Sequence, residues 1–91
     1  EEMAAVEKLK ESIAKEMGTY GKNEVKNAVE SGAAESLLLI SEMTKESEGL
    51  ELLEMALKNR TEVIEISSHH HGGEMLIGLG GVAVVLRYKL T

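Results

Sequence analysis

The chain has 91 residues, with 16 acids against 10 bases and a net charge of −6, so duplex nucleic acid and anionic membranes are poor direct partners. No cysteine occurs, which excludes disulfides and thiolate zinc sites and suits the reducing cytoplasm. Hydrophobic residues make up 43%, enough for a folded core, while the absence of Phe and Trp removes any aromatic platform for stacking bases.

The chain opens at Glu1, within a helical pattern and without a basic n-region, and reads as a piece of a longer protein. Met3, Val6, Leu9, Ile13 and Met17 form one apolar stripe at helical spacing, with Lys8, Lys10, Glu11 and Lys15 on the wet side. Gly18 is placed to stop this helix. Thr19-Tyr20-Gly21 is a brief extended step, and a second helix turns Val25, Ala28 and Val29 inward, with Gly32 just past its end. Ser36 to Ser41 encloses an unbroken apolar run, short enough for a strand buried on both faces.

A polar connector, Ser41 to Gly49, leads to a third helix whose inward face is expected at Leu50, Leu53, Ala56 and Leu57. Asn59 stands where a left-handed C-terminal residue would be useful. Val63 to Ile66 is a β-branched strand. Ser67 to Gly73 reads as a loop, Glu74 to Leu79 as one or two helical turns, and Val82 to Leu86 as the final strand. The longest apolar run, Met75 to Leu86, is interrupted by glycines and falls short of the roughly 18 residues of a membrane span. The expected fold class is α/β: a small, mainly parallel or mixed sheet of about four strands flanked by helices. Residues 1–18 are expected to be a lead-in helix packed on a domain spanning 19–91.

Candidate chemistry is sparse. Gly78-Leu79-Gly80-Gly81 lies between a helix and a strand with no following lysine, the reverse of a phosphate loop, and reads as a tight turn. His69 to His71 suggests a zinc or nickel site completed by Glu65 or Glu74, but neighbouring side chains of an extended segment point apart, and a polar loop is the simpler reading. Aspartate and cysteine are both missing, so Ser-His-Asp and Cys-His arrangements are excluded within this chain. Gly72-Gly73-Glu74 ends in a carboxylate and so lacks the amide of the Gly-Gly-Gln used in peptide release. The methionines are core filling. Lys22, Lys26 and Lys89 are too dispersed to indicate contact with ribosomal RNA. No cofactor is implied.

Three blocks carry a family pattern: Tyr20-Gly21-x-x-Glu24-Val25-x-x-Ala28 running into Gly32-Ala33-Ala34-Glu35-x-Leu37-Leu38; Ser67-Ser68-x-His70-x-x-Gly73-Glu74-x-Leu76; and Gly80-Gly81-Val82-Ala83-x-Val85-Leu86-Arg87-Tyr88. Over residues 19 to 90 the chain resembles the C-terminal domain shared by Pelota and the class-1 translation termination factors of archaea and eukaryotes. The Ser-Ser-x-His-x-x-Gly-Glu loop and the short, cysteine-free connector are similar to the Pelota branch; a termination factor is the alternative parent. Ala34 for Val, Met75 for Gln and Asn59-Arg60 in place of Gly depart from the pattern.

The resemblance implies a cytoplasmic, non-enzymatic docking module of a ribosome-rescue and mRNA-surveillance factor. Its partners would be a translational GTPase of the elongation-factor type and a ribosome-recycling ATPase, with the ribosome reached through the full-length protein. It also maps Val84, Val85, Leu86, Arg87 and Tyr88 onto the GTPase-binding segment and draws attention to His70 and Glu74. Arg and Tyr at a strand end are residue types favoured at interface hot spots, although Val82, Val84 and Leu86 are equally well read as core. An RNA-binding module and a histidine-dependent metallohydrolase are the competing classes, the first opposed by the charge.

Overall fold

The segment Ala34–Ile40, which holds the apolar run Leu37 to Ile40, forms β2, the strand around which the rest is assembled. In the computed structural model, which describes residues 2–69 and 71–89, four strands are ordered β1-β4-β2-β3, with β1 at Gly18–Tyr20, β3 at Glu62–Ile66 and β4 at Val82–Leu86. The sheet is mixed: β2 and β3 are parallel, and β4 runs antiparallel to both of its neighbours, pairing Leu38 with Ala83 and Thr19 with Val84. This is the expected α/β class.

Alternation along β2 and β4 divides the core into two layers. Leu37, Leu39, Val82, Val84 and Leu86 pack under α2 (Lys22–Glu30) and α3 (Ser47–Lys58). Leu38, Ile66, Ala83 and Val85 face the other way, toward α1 (Glu2–Ala14) and α4 (His71–Gly78). Both central strands are thus buried on both sides, and each fully buried Leu or Val adds roughly 1.5–3 kcal/mol. Val6 and Leu9 of α1 and Val25, Ala28 and Val29 of α2 are buried where periodicity placed them.

Four local expectations change. First, α1 ends at Ala14 rather than running to Gly18: Glu16 adopts φ 62°, and the Met17 amide bonds back to the Ser12 carbonyl. The left-handed C-terminal position therefore falls on a non-glycine, and Gly18 is freed to begin β1. Second, α3 terminates through Arg60 at φ 57°, not Asn59 at φ −104°; the Thr61 amide reaches the Ala56 carbonyl, and Asn59 Nδ2 instead donates to the Met55 carbonyl.

Third, the inward face of α3 is Gly49, Leu52 and Ala56, whereas Leu50 and Leu57 are 49% and 77% exposed and Leu53 is half-buried. The reason is the connector. Ser41–Lys45 folds as a 3₁₀ turn that lays the Met43 carbonyl against the first turn of α3, and only Gly49 admits that approach. Helix α4 likewise starts earlier than expected, at His71, because Gly73 seats directly on the Ser67 carbonyl. No helix among the described residues is long and apolar enough to cross a membrane.

Candidate functional site

Strand β4 carries the segment singled out by its sequence. Val84, Val85 and Leu86 are all buried, and the strand is hydrogen-bonded to β1 on one side and β2 on the other. Their side chains are therefore part of the core and offer nothing to a docked partner. The exposed part begins at Arg87, where β4 leaves the sheet.

Arg87 is held by two segments. Its backbone N–H donates to the Ala33 carbonyl at 2.7 Å, and Nη2 donates to the carbonyls of Arg60 at 3.0 Å and Asn59 at 3.5 Å. Those two carbonyls are the unsatisfied end of α3, where a cation also complements the helix dipole. The N–H of Leu86, the preceding residue, donates to the Met17 carbonyl at 2.8 Å. Tyr88 follows with 51% of its surface exposed, and Lys89 lies 3.8 Å from Glu16. An acidic domain thus gathers Arg60, Arg87 and Lys89 beside one accessible tyrosine at a single end of the sheet.

Glu74 lies at the opposite end. Strands β2 and β3 finish there, β4 begins there, and α4 joins β3 to β4 there through Gly80 and Gly81 at φ 102° and 87°. The tight-turn reading of the glycine cluster follows from these angles. Glu74 is exposed in the first turn of α4; His70 lies outside the described residues. The structure therefore separates Glu74 from Arg87 and Tyr88 by the length of β4, at roughly 3.3 Å per residue.

Near Glu74, Ser68 Oγ donates to Glu42 Oε2 at 2.7 Å, and the His69 amide donates to Ser67 Oγ at 3.2 Å. The Ser68 hydroxyl, followed by the backbone amide of Glu42 itself, holds the Glu42 carboxyl below its usual range, with His69 and Lys45 adding smaller effects. Among the described residues no group of three or more His, Asp or Glu side chains could hold a metal ion. Elsewhere, an open depression of about 200 Å³ lies between α2 and α3, bridged by Lys22–Glu48 and Lys26–Glu51 pairs, each at 3.0 Å. Exposed pairs of this kind contribute about 0–1 kcal/mol each.

Sequence reasoning missed Asn59 and Arg60 as neighbours of Arg87. The departure from glycine at this turn was visible, but its meeting with the end of β4 depends on tertiary folding.

The chain belongs to the family described as eRF1 domain 3, whose model matches residues 1–90. It is 45% identical over 93 residues to the protein pelota homolog of Pyrococcus horikoshii, covering 98% of this chain and 26% of that protein. It therefore spans about a quarter of the length of the curated relatives it matches. Similar solved structures include the Pelota protein of Thermoplasma acidophilum (TM-score 0.92, 27% identity, covering 98% of this chain and 28% of that one). They also include a model of ribosome-bound archaeal Pelota and ABCE1 (TM-score 0.85, 37% identity, 99% and 26% covered). A third is S. cerevisiae Dom34, a translation termination-like factor involved in RNA quality control and interacting with Hbs1 (TM-score 0.88, 29% identity, 98% and 27% covered). Both the relatives and the fold correspond to the C-terminal domain of Pelota.

Proposed function

We propose that this chain is the docking domain of a Pelota-type ribosome-rescue factor, acting in the cytoplasm without covalent chemistry of its own. Its partners are a translational GTPase of the elongation-factor type and a ribosome-recycling ATPase, and it reaches the ribosome as part of the longer protein. Archaeal Pelota bound to the ribosome with ABCE1, and Dom34 interacting with Hbs1, support this assignment by likeness.

The observation that carries the reading is the Arg87–Tyr88 end of β4. An exposed tyrosine beside an arginine whose backbone and guanidinium are both anchored is a preorganised contact point: little side-chain entropy remains to be lost on binding. The surrounding cations suit an acidic patch on the partner. Of the residues expected to bind partners, Arg87 and Tyr88 form this contact, Val84, Val85 and Leu86 support it from the core, and Glu74 belongs to a separate face.

Calorimetric titration of the full-length rescue factor with its GTPase and with the ATPase tests the reading. Tyr88→Ala and Arg87→Glu are each expected to weaken one of these associations about tenfold or more, the scale of a hot-spot residue. Unchanged binding of both partners by a folded double variant would reject the assigned contact.

A further inference from the structure

Helix α3 has two flanks. At 100° per residue, Glu48, Glu51 and Met55 project to one side of the buried Gly49–Leu52–Ala56 line, and Leu50, Leu53 and Leu57 project to the other. The first flank faces α2, as the Lys22–Glu48 and Lys26–Glu51 pairs establish. The leucine flank consequently overhangs the free side of the sheet. There β3 is the terminal strand, paired among the described residues only with β2 through the register Ser36–Glu62 to Ile40–Ile66, so its outer row of N–H and C=O groups has no strand partner among them. Val63, on the α3 side of β3, is 37% exposed, on the same face of the sheet as α3.

Charge identifies what fits this edge. Glu54 stands on the solvent side between Leu50 and Leu57, and Glu62 and Glu65 lie on β3; all are exposed, and none has an ion pair among the described residues. Glu35, Glu48 and Glu51, by contrast, are each paired to lysine. Lys58 projects from the outer face of α3 and Arg60 lies in the turn below the strand, which leaves the length of β3 itself acidic. A second copy of the chain suits the edge less well, because pairing two β3 strands would add the Glu62 and Glu65 of one copy to those of the other with no cation on either strand between them.

We propose that the outer edge of β3 and the leucine flank of α3 form a docking site for an extended basic segment of a protein partner. The segment adds as a fifth strand, with alternate apolar side chains on the α3 face beside Leu57 and Val63 and lysines or arginines on the opposite face beside Glu62. This surface is distinct from the Arg87–Tyr88 contact and stands independently of it.

The test is an NMR titration of the ¹⁵N-labelled chain with a short synthetic peptide alternating lysine and valine. Saturable shift changes confined to residues 50–57 and 62–66 are expected. They should vanish with the alternately N-methylated peptide, which cannot pair with the edge. Leu57→Lys and Val63→Lys, both at exposed positions, should keep the circular dichroism spectrum and weaken binding about tenfold or more. The proposal is overturned by an absence of saturation, by equal binding of a glutamate–valine peptide, or by single-stranded RNA moving the same residues. A concentration-dependent dimer abolished by Val63→Lys would assign the edge to self-association and overturn it equally.

Discussion

Replacing Gly49 with alanine reverses the usual effect of a helix substitution. In an unconstrained helix interior, Gly→Ala stabilises by roughly 0.5–1 kcal/mol, because glycine has the larger backbone entropy to lose. At Gly49 the added Cβ would fall on the Met43 carbonyl oxygen, a backbone atom, so the whole 3₁₀ turn must move. Overpacking of that kind costs about 1–3 kcal/mol, and the close approach puts it near the upper end. Subtracting the propensity gain leaves a net loss of about 1.5–2.5 kcal/mol. For a domain of this size each kcal/mol shifts Tm by about 4–8 °C, so Gly49→Ala should melt roughly 6–20 °C lower. Gly78→Ala is the control: Gly78 ends α4, and nothing lies within 4 Å of the place a Cβ would take there, so its melting temperature should rise by a few degrees. Both are read by thermal circular dichroism and checked by urea unfolding. A Gly49→Ala variant as stable as the parent would show that the Met43 turn does not press on α3, and the packing account of the misplaced leucine face would fail with it.

Arg60→Gly should stabilise the chain by roughly 0.5–1 kcal/mol in urea unfolding, since φ 57° strains an L-residue and the Arg87 contact uses only the Arg60 carbonyl. A loss of stability would mean that the Arg60 side chain has a role its exposure hides. Glu42 makes a pH prediction. Its carboxyl is held below the usual range, so its contribution is present above the ordinary carboxylate pKa and is lost as the pH falls through the depressed value. Ser68→Ala removes the largest cause, and the Glu42 titration followed by NMR should move upward toward the ordinary value; an unmoved midpoint would refute the Ser68 hydrogen bond as its origin.

Much of the architecture was legible because buried strands and amphipathic helices advertise themselves. Leu37 to Ile40 and Val82 to Leu86 are apolar without interruption, which only a strand covered on both faces explains, and both lie at the centre of the sheet. Val25, Ala28 and Val29 needed only the helical period. The α3 stripe misled for a physical reason: periodicity reports that a face is apolar but not which neighbour covers it. Leu50, Leu53 and Leu57 exceed Gly49, Leu52 and Ala56 in hydrophobic volume, yet the small residues face inward because the 3₁₀ turn demands close approach. The left-handed turn residues Glu16 and Arg60 escaped because neither is a type that favours positive φ.

The candidate site shows the same division. Residue type alone drew attention to Arg87 and Tyr88, and the missing aspartate and cysteine excluded Ser-His-Asp and Cys-His arrangements within the chain. Linear order could not reveal that Val84 to Leu86 lie wholly within the core, that Arg87 closes the end of α3 across the intervening strand β2, or that Glu74 stands at the other end. Local pattern governs whether a segment becomes helix or strand, because backbone preference and burial act within a few residues. Which surfaces remain open is decided by contacts between segments some 27 or 28 residues apart, as at Arg87, and those exist only once the sheet has closed around its two central strands.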